Sequence, residues 1–199
     1  MLLAADRTAI HTFGWPVGVV LHVDGKKPEP FKIGNDAGIK VMIASSEHTD
    51  YWTLTKKGEY YILMSLFEDQ RSEKKIFIDT RTIRITEYFL RTAKLYQALG
   101  VPSGEGLMIR IEHGGLKGRI LSAANSLRAW SIMEDRKCSE NIVLNVFEKT
   151  IADCLNLSSL QEMVYEVIKS ITEMCNMFVP DKKRVTDPIV ESFLQGKII

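Results

Sequence analysis

The segment RIEHGGLKGR, residues 110–119, carries the residue types best suited to holding an anion. Its glycines allow backbone N–H groups to converge on one point, and its lysine and second arginine supply positive charge. The histidine stands beside both an acid and these bases, and it could serve as a general base because its unperturbed pKa is about 6.5. The predicted anion-binding residues are His113, Gly114, Gly115, Lys117, Gly118 and Arg119.

A second interpretation of this loop is purely structural. Glycines are common where the backbone needs a positive φ, so the loop would join strands predicted at Leu107–Glu112 and Arg119–Ala123 as a hairpin with solvated charges. The glycine spacing is not that of a P-loop, and no helix is predicted directly after it. The sequence alone leaves the anion site and the plain hairpin loop as alternatives.

Another group of polar residues is compatible with hydrolysis. Glu73 and Lys75 form a Glu-x-Lys pair at the start of a predicted strand, and Asp50 lies upstream. Metal-dependent nucleases place two acids on one divalent cation and a lysine near the attacking water. The chain has no Gly-x-Ser-x-Gly, Gly-x-Gly-x-x-Gly or paired Cys/His motif. Our leading interpretation therefore has no catalytic residue, no metal ligand and no cofactor.

The overall composition restricts the class of protein. Of the 199 residues 45% are apolar, and 26 basic against 25 acidic side chains give a net charge of +1. This balance excludes an intrinsically disordered chain, and no apolar run is long enough to cross a membrane. The three cysteines, Cys138, Cys154 and Cys175, are odd in number and fit no metal-binding spacing. We therefore expect reduced thiols in a cytoplasmic protein.

Strand-forming runs fill most of the first half of the chain. The dipeptide Lys57-Gly58 is a turn signal, so the two strands that flank it should form a hairpin. The strands are predicted at residues 15–21, 39–44, 51–54, 60–67 and 75–78.

The aromatic residues of this half could form a surface on which nucleic-acid bases stack. No arginine lies between them, so we favour a packed sheet core as their role. They are Trp15, Tyr51, Trp52, Tyr60, Tyr61 and Phe67.

An internal helix is predicted between two groups of strands. It should begin at an N-cap, Thr86, and end at Gly100, with Arg91 facing away from the core. Beyond the glycine-rich loop, two more strands are predicted at 129–133 and 141–147.

The C-terminal part of the sequence is helical. Ser159 opens a capping box, and a continuous apolar stripe predicts a helix over 159–178, followed by a short helix that ends near Leu194. We therefore predict an α+β fold with a largely antiparallel sheet, one packed internal helix and a C-terminal helical segment. Residues 1–150 should form a mixed α/β sheet domain, and residues 151–199 a helical tail packed on it as one structural unit.

Several separated blocks of the sequence are similar to one protein family. The blocks are AIHTFGWPVGVVL at 9–21, DYWTL at 50–54, SLFED at 65–69, FIDTR at 77–81 and HGGLKGR at 113–119. Together they resemble the region that follows an AlbA-type (Schlafen-like) DNA-binding domain in bacterial ATP-binding proteins and transcriptional regulators. The resemblance spans about residues 5–150, and the helical tail matches only in general character.

This resemblance implies an accessory domain with no catalytic site of its own. The AlbA-type domain, with its nucleic-acid contacts, would lie upstream of Met1 in a longer protein, and the present chain would position, regulate or oligomerise it. We therefore expect a non-enzymatic regulatory or interaction domain of a Schlafen-like, nucleic-acid-linked protein. Its expected partners are that upstream domain, nucleic acid through it, and a second copy bound through the C-terminal helices, with no membrane.

Two alternative functions remain open from the sequence. One is a sensor that binds a phosphorylated small molecule or a nucleotide at the loop Gly114–Gly118, and the other is a metal-dependent hydrolase that uses Asp50, Glu73 and Lys75. A sensor needs a concave site with converging N–H groups, a hydrolase needs two carboxylates near one ion, and an interaction domain needs an exposed apolar patch.

Overall fold

A computed structural model of the chain describes residues 2–10, 17, 29–33, 36–44, 49–71, 74–125 and 136–197. Helices and strands are both well represented, so the predicted α+β class is confirmed. The elements are α1 (Leu2–Arg7), β1 (Glu29–Ile33), β2 (Asp36–Ala44), β3 (Thr49–Thr55), β4 (Tyr60–Met64), β5 (Lys75–Phe77), α2 (Ile78–Ala98), β6 (Gly106–His113), β7 (Ile120–Ser122), β8 (Val143–Thr150), α3 (Ile151–Leu155), α4 (Leu157–Glu173) and α5 (Asp187–Leu194). A short 3-10 helix, Phe67–Gln70, precedes β5, and a π-helical turn, Lys182–Thr186, precedes α5.

The strands form three separate sheets in the described residues. Strands β1 to β4 are antiparallel neighbours in chain order, β5 pairs with β7 in parallel, and β6 pairs with β8 antiparallel. The predicted hairpin at Lys57-Gly58 is confirmed as the β3–β4 turn, where Gly58 has a φ of +86°. The predicted hairpin between β6 and β7 is wrong, because each of these strands pairs with a partner that is distant in sequence.

Helix α2 begins at Ile78, about two turns before the predicted cap Thr86. Its first two turns are rich in β-branched residues, which favour strands by intrinsic preference. Two threonines bond back to the helix instead, since Thr82 donates its hydroxyl to the Ile78 carbonyl and Thr86 donates to the Thr82 carbonyl. The expected start was wrong because tertiary packing overrides local propensity here.

Arg91 on α2 is fully buried, which corrects the prediction that it faces away from the core. Its guanidinium donates hydrogen bonds to the Ala5 carbonyl, at 2.6 Å, and to the Thr8 hydroxyl. The Arg91 Nε also lies 3.4 Å from the Tyr60 hydroxyl. This one side chain therefore connects α1 and β4 to α2.

The C-terminal helices follow the sequence prediction with changes at their ends. Thr150 and Asp153 form a capping box for α3, and the Asn156 side chain, rather than Ser159, caps α4 by accepting the Ser159 N–H. Helix α4 ends at Glu173, before the predicted limit, and α5 ends at Leu194 as expected.

The apolar stripe of α4 lies in the main core, as predicted. This core packs α4 against α2 and includes inward side chains of β6 and β8. Phe89 of α2 contacts Phe147 of β8 edge to face, with ring centres 5.4 Å apart. The buried stripe residues are Leu160, Met163, Val164, Val167, Ile168 and Ile171.

Cys138 and Cys175 form a disulfide, so the expectation of three reduced thiols is wrong for this pair. The two residues also form an isolated antiparallel bridge, and the Ser139 N–H donates to the Met174 carbonyl beside them. Cys154 is the buried free cysteine. The spacing of 37 residues gave no sign of this pairing, because it depends on how β7 and α4 are brought together.

Some sequence predictions lie outside the described residues. These are the strand at 15–21 apart from Val17, which bridges Ile10, the strand at 129–133, and Glu73 of the hydrolase hypothesis. The division into a domain at 1–150 and a tail at 151–199 stays a prediction.

The disulfide should contribute measurably to stability. Closing a loop of this length restricts the unfolded chain, and reduction should therefore lower the free energy of unfolding by about 4 kcal/mol. Urea unfolding with and without a reductant measures this, and thiol titration of denatured, non-reduced protein should find only Cys154. Equal unfolding midpoints under both conditions would contradict the expectation.

Candidate functional site

The glycine-rich loop between β6 and β7 is an exposed turn. Gly115 and Gly118 have φ values of +72° and +82°, which side-chain-bearing residues rarely adopt. No atom lies within 4 Å of the position a Cβ would take at Gly114 or Gly115, and Lys117 is exposed. This geometry fits the structural interpretation of the glycines.

Several N–H groups of this loop already have internal acceptors. The Leu116 N–H donates to Asn141, the Gly118 N–H donates to the Cys138 carbonyl at 2.8 Å, and the Arg119 N–H donates to the Leu116 carbonyl. These bonds fix the loop against the segment that follows residue 136. The donors available for an anion are correspondingly fewer than the sequence suggested.

The guanidinium of Arg119 is also occupied by the protein itself. Its Nε donates to the Gly115 carbonyl at 2.7 Å, one terminal nitrogen donates to the Lys75 carbonyl, and the other binds the Asp69 carboxylate. Arg119 thus holds the loop against β5 and the 3-10 helix. Anion binding at the loop stays a prediction, with Lys117 as its exposed cation.

His113 turns inward from the end of β6 and is buried. Burial, together with the positive charge of Arg81, lowers the pKa of the His113 imidazole to about 3. The ring is therefore neutral at neutral pH, and among the described residues its Nδ1 has no hydrogen-bond partner. His113 lies on the opposite side of β6 from the exposed strand residues, so it does not join an exposed anion site.

The residues of the hydrolase hypothesis lie on separate elements. Asp50 is buried on β3, and Lys75 is exposed at the start of β5. Across the described parts of the chain, no group of three or more His, Cys, Asp or Glu side chains is placed to hold a metal ion.

The strongest electrostatic feature is a buried ion pair at the start of α2. Glu68 accepts two hydrogen bonds from Arg81, at 2.9 and 2.7 Å, and a third from the Phe77 backbone N–H at 3.0 Å. Both charged side chains are almost fully buried. Such a pair offsets its desolvation only if the geometry is well satisfied, as it is here.

A second buried pair lies one turn further along α2. Arg84 donates to Glu87 at 2.8 Å, and both side chains are buried. Burial raises the pKa of the Glu87 carboxyl to about 7, although Arg84 and Arg81 partly oppose that rise. Glu87 therefore titrates in the neutral range.

Asp79 anchors the chain that follows β7. Its carboxylate accepts the backbone N–H groups of Ala124 and Asn125, each at 2.9 Å, as well as the Thr80 N–H at 2.8 Å. Together with Glu68, it makes the first turn of α2 the point where several segments meet.

The outer face of the β6–β8 sheet is exposed, in contrast to the buried charged groups at the start of α2. We define this outer face as Met108, Arg110 and Glu112 on β6 with Leu144, Val146 and Glu148 on β8. All six side chains are exposed, including 78% of Met108, 47% of Leu144 and 56% of Val146. Arg110 and Glu112 form an exposed ion pair at 3.0 Å. The alternate residues, among them Ile111 and Val143, face the core.

Of the six aromatic residues predicted for the core, two are confirmed and two are wrong, and the side chains of the other two lie outside the described part of the structure. Trp52 is buried and contacts Tyr60 edge to face, whereas Tyr51 and Tyr61 lie on the other side of the β1–β4 sheet. Trp15 and the side chain of Phe67 lie outside the part of the chain that the structure describes.

Sequence reasoning missed both the buried pairs and the outer face. Residues 106–113 alternate strictly between exposed and buried positions, and a methionine at an exposed position was the available signal. The pairing with β8 was not accessible, because the strands are separated by an intervening segment. Glu68 and Arg81 carried no local signal, since charged residues are rarely buried.

No family model, curated protein or solved structure matches this chain. None of the helices in the described residues is long and apolar enough to cross a membrane.

Removing one partner of the buried ion pair should destabilise the fold strongly. Glu68→Gln leaves the Arg81 guanidinium buried without a counter-charge, so we expect a loss of about 3–5 kcal/mol in the free energy of unfolding. The matched control is Glu173→Gln in the exposed Lys169–Glu173 pair, with an expected loss of at most about 1 kcal/mol. If urea unfolding gave equal losses of unfolding free energy for the two variants, the prediction that the buried Glu68–Arg81 pair stabilises the fold more than the Lys169–Glu173 pair would be wrong.

The two shifted groups should give opposite pH dependences of stability. The pKa of Glu87 rises from 4.5 to about 7, so its contribution is complete below pH 4.5 and is lost as pH rises through 7. The pKa of His113 falls from 6.5 to about 3, so its contribution is complete above pH 6.5 and is lost as pH falls through 3. In the wild type these effects largely cancel between pH 4.5 and 6.5.

Single substitutions should separate the two effects. In Glu87→Gln the free energy of unfolding should decrease as pH falls below 6.5, and in His113→Gln it should decrease as pH rises from 4.5 to 7. Urea unfolding across this range measures the slopes, and each variant serves as its own reference for packing losses. If the free energy of unfolding of both variants depended on pH as that of the wild type does, the assignment of the two effects to Glu87 and His113 would be refuted.

Proposed function

We propose that this chain is a non-enzymatic interaction domain that oligomerises a Schlafen-like, nucleic-acid-linked protein of the bacterial cytoplasm. The observation that carries the proposal is the outer face, where Met108, Leu144 and Val146 are exposed on a regular sheet surface. Contiguous exposed apolar side chains rimmed by charges are typical of protein interaction sites. The family resemblance supports the nucleic-acid link.

The location of the polar groups also favours an interaction role over catalysis. Glu68 is bound to Arg81 and Arg84 to Glu87, and all four side chains are buried. Side chains in this state stabilise the fold but are out of reach of a dissolved substrate. The exposed chemistry of β6 and β8 is that of a binding surface.

The proposal changes the location of the expected homodimer interface. The sequence suggested the C-terminal helices through their methionine-rich edge; their apolar stripe lies in the core of the same chain as predicted, and an interface on that edge stays a prediction. The outer face is one exposed apolar surface of the described residues, and Met42, Tyr61 and Leu63 are exposed on the β1–β4 sheet. In a cytoplasm the Cys138–Cys175 disulfide would meet reducing thiols, and its burial limits their access.

A charge on the outer face should abolish association. We expect the wild-type chain to sediment as a dimer at micromolar concentration and Val146→Lys to sediment as a monomer. The matched control is Leu63→Lys on β4, which replaces an equally exposed apolar residue on another sheet and should leave the dimer intact. A wild type that stays monomeric at high micromolar concentration, or a dimeric Val146→Lys, would refute the proposed function.

A further inference from the structure

The outer face has a pattern that can match a copy of itself. The register of the β6–β8 sheet places Arg110 opposite Val146 and Glu112 opposite Leu144. Between these two rows the Ile111–Asn145 pair points its side chains the other way. The centre of the outer face is therefore a block of two charges on one strand beside two apolar residues on the other.

We propose that two copies of this chain pack outer face to outer face, around a twofold axis that crosses both strands at the Ile111–Asn145 pair. This inference rests on the proposed function and names the partner and its register. The twofold operation relates residue 110 to 112 and residue 146 to 144 of the second copy. Arg110 then meets Glu112 of the second copy, and Val146 meets its Leu144, and both contacts occur twice.

Charge selects this register over its neighbours. An axis shifted to residue 110 would place two Arg110 side chains together, and an axis shifted to residue 112 would place two Glu112 side chains together. Like charges in a desolvated contact are unfavourable, so both shifted registers are penalised. The chosen register instead forms an alternating ring of four charges, because Arg110 and Glu112 already pair at 3.0 Å within each chain.

The ends of the face are compatible with the same arrangement. Met108 would lie against Gly114 of the second copy, where no side chain is present and the space above the backbone is open. A face only two strands wide is small for a protein interface, so we expect a micromolar rather than a nanomolar dissociation constant.

Charge exchange tests the register directly. Arg110→Glu and Glu112→Arg should each weaken the wild-type dimer by about tenfold or more, as measured by sedimentation equilibrium. The double variant Arg110→Glu/Glu112→Arg restores opposite charges at both contacts and should recover the dimer. An equimolar mixture of the two single variants should form a heterodimer, although each variant alone self-associates poorly.

The mixture distinguishes this inference from the proposed function. Arg110, Glu112 and Val146, the three substituted positions on the outer face, are all exposed. A Lys169→Glu variant on α4 controls for the change in net charge. If the wild type dimerises and Val146→Lys does not, but the mixture gives no heterodimer, the register is overturned while the proposed function stands. If the wild type is monomeric, the proposed function and the register both fail.

Discussion

The buried Glu68–Arg81 ion pair is the interaction on which the rest of the structure depends. A guanidinium inside a core costs several kcal/mol unless its charge and its donors are satisfied. Glu68 satisfies them while also binding the Phe77 N–H, so the 3-10 helix, the end of β5 and the start of α2 must come together. Burial and, to a smaller extent, the positive charge of Arg81 lower the pKa of the His113 imidazole at the end of β6.

The burial of one side of the β6–β8 sheet determines which of its side chains are exposed. Because His113 and Ile111 are buried toward α2, strict alternation along β6 directs Met108, Arg110 and Glu112 outward. Strand β8 pairs with β6 over its full length, so its outward residues extend the same face. The candidate interaction surface is thus the side of the sheet that stays exposed when the other side packs into the core.

Sequence patterns predicted the elements that depend on interactions between residues close to one another in the sequence. The β3–β4 hairpin, the apolar stripe of α4 and the last helix all depend on turn chemistry or helical spacing, and all were predicted. The start of α2 was missed because Thr82 and Thr86 are tolerated through hydrogen bonds to their own helix. The glycine-rich segment was predicted as a loop that joins a hairpin, but it joins strands of different sheets, and the commitment of Arg119 to Asp69 and Lys75 depends on distant segments. The β6–β8 pairing and the Cys138–Cys175 disulfide were inaccessible for the same reason.

The energetics of the outer face are those of a weak, reversible contact between two copies of the chain. Leu144 and Val146 expose 47% and 56% of their surface, so burying them in both copies contributes only a modest favourable free energy, which fits a micromolar rather than a nanomolar contact. The alternating ring of four charges then determines which register forms more than it strengthens the dimer. Such a weak, specific contact becomes effective when its carriers are held close together, because tethering raises the effective concentration into the millimolar range. On the proposed function, nucleic acid would hold neighbouring copies at that proximity, and free copies would associate at micromolar concentration.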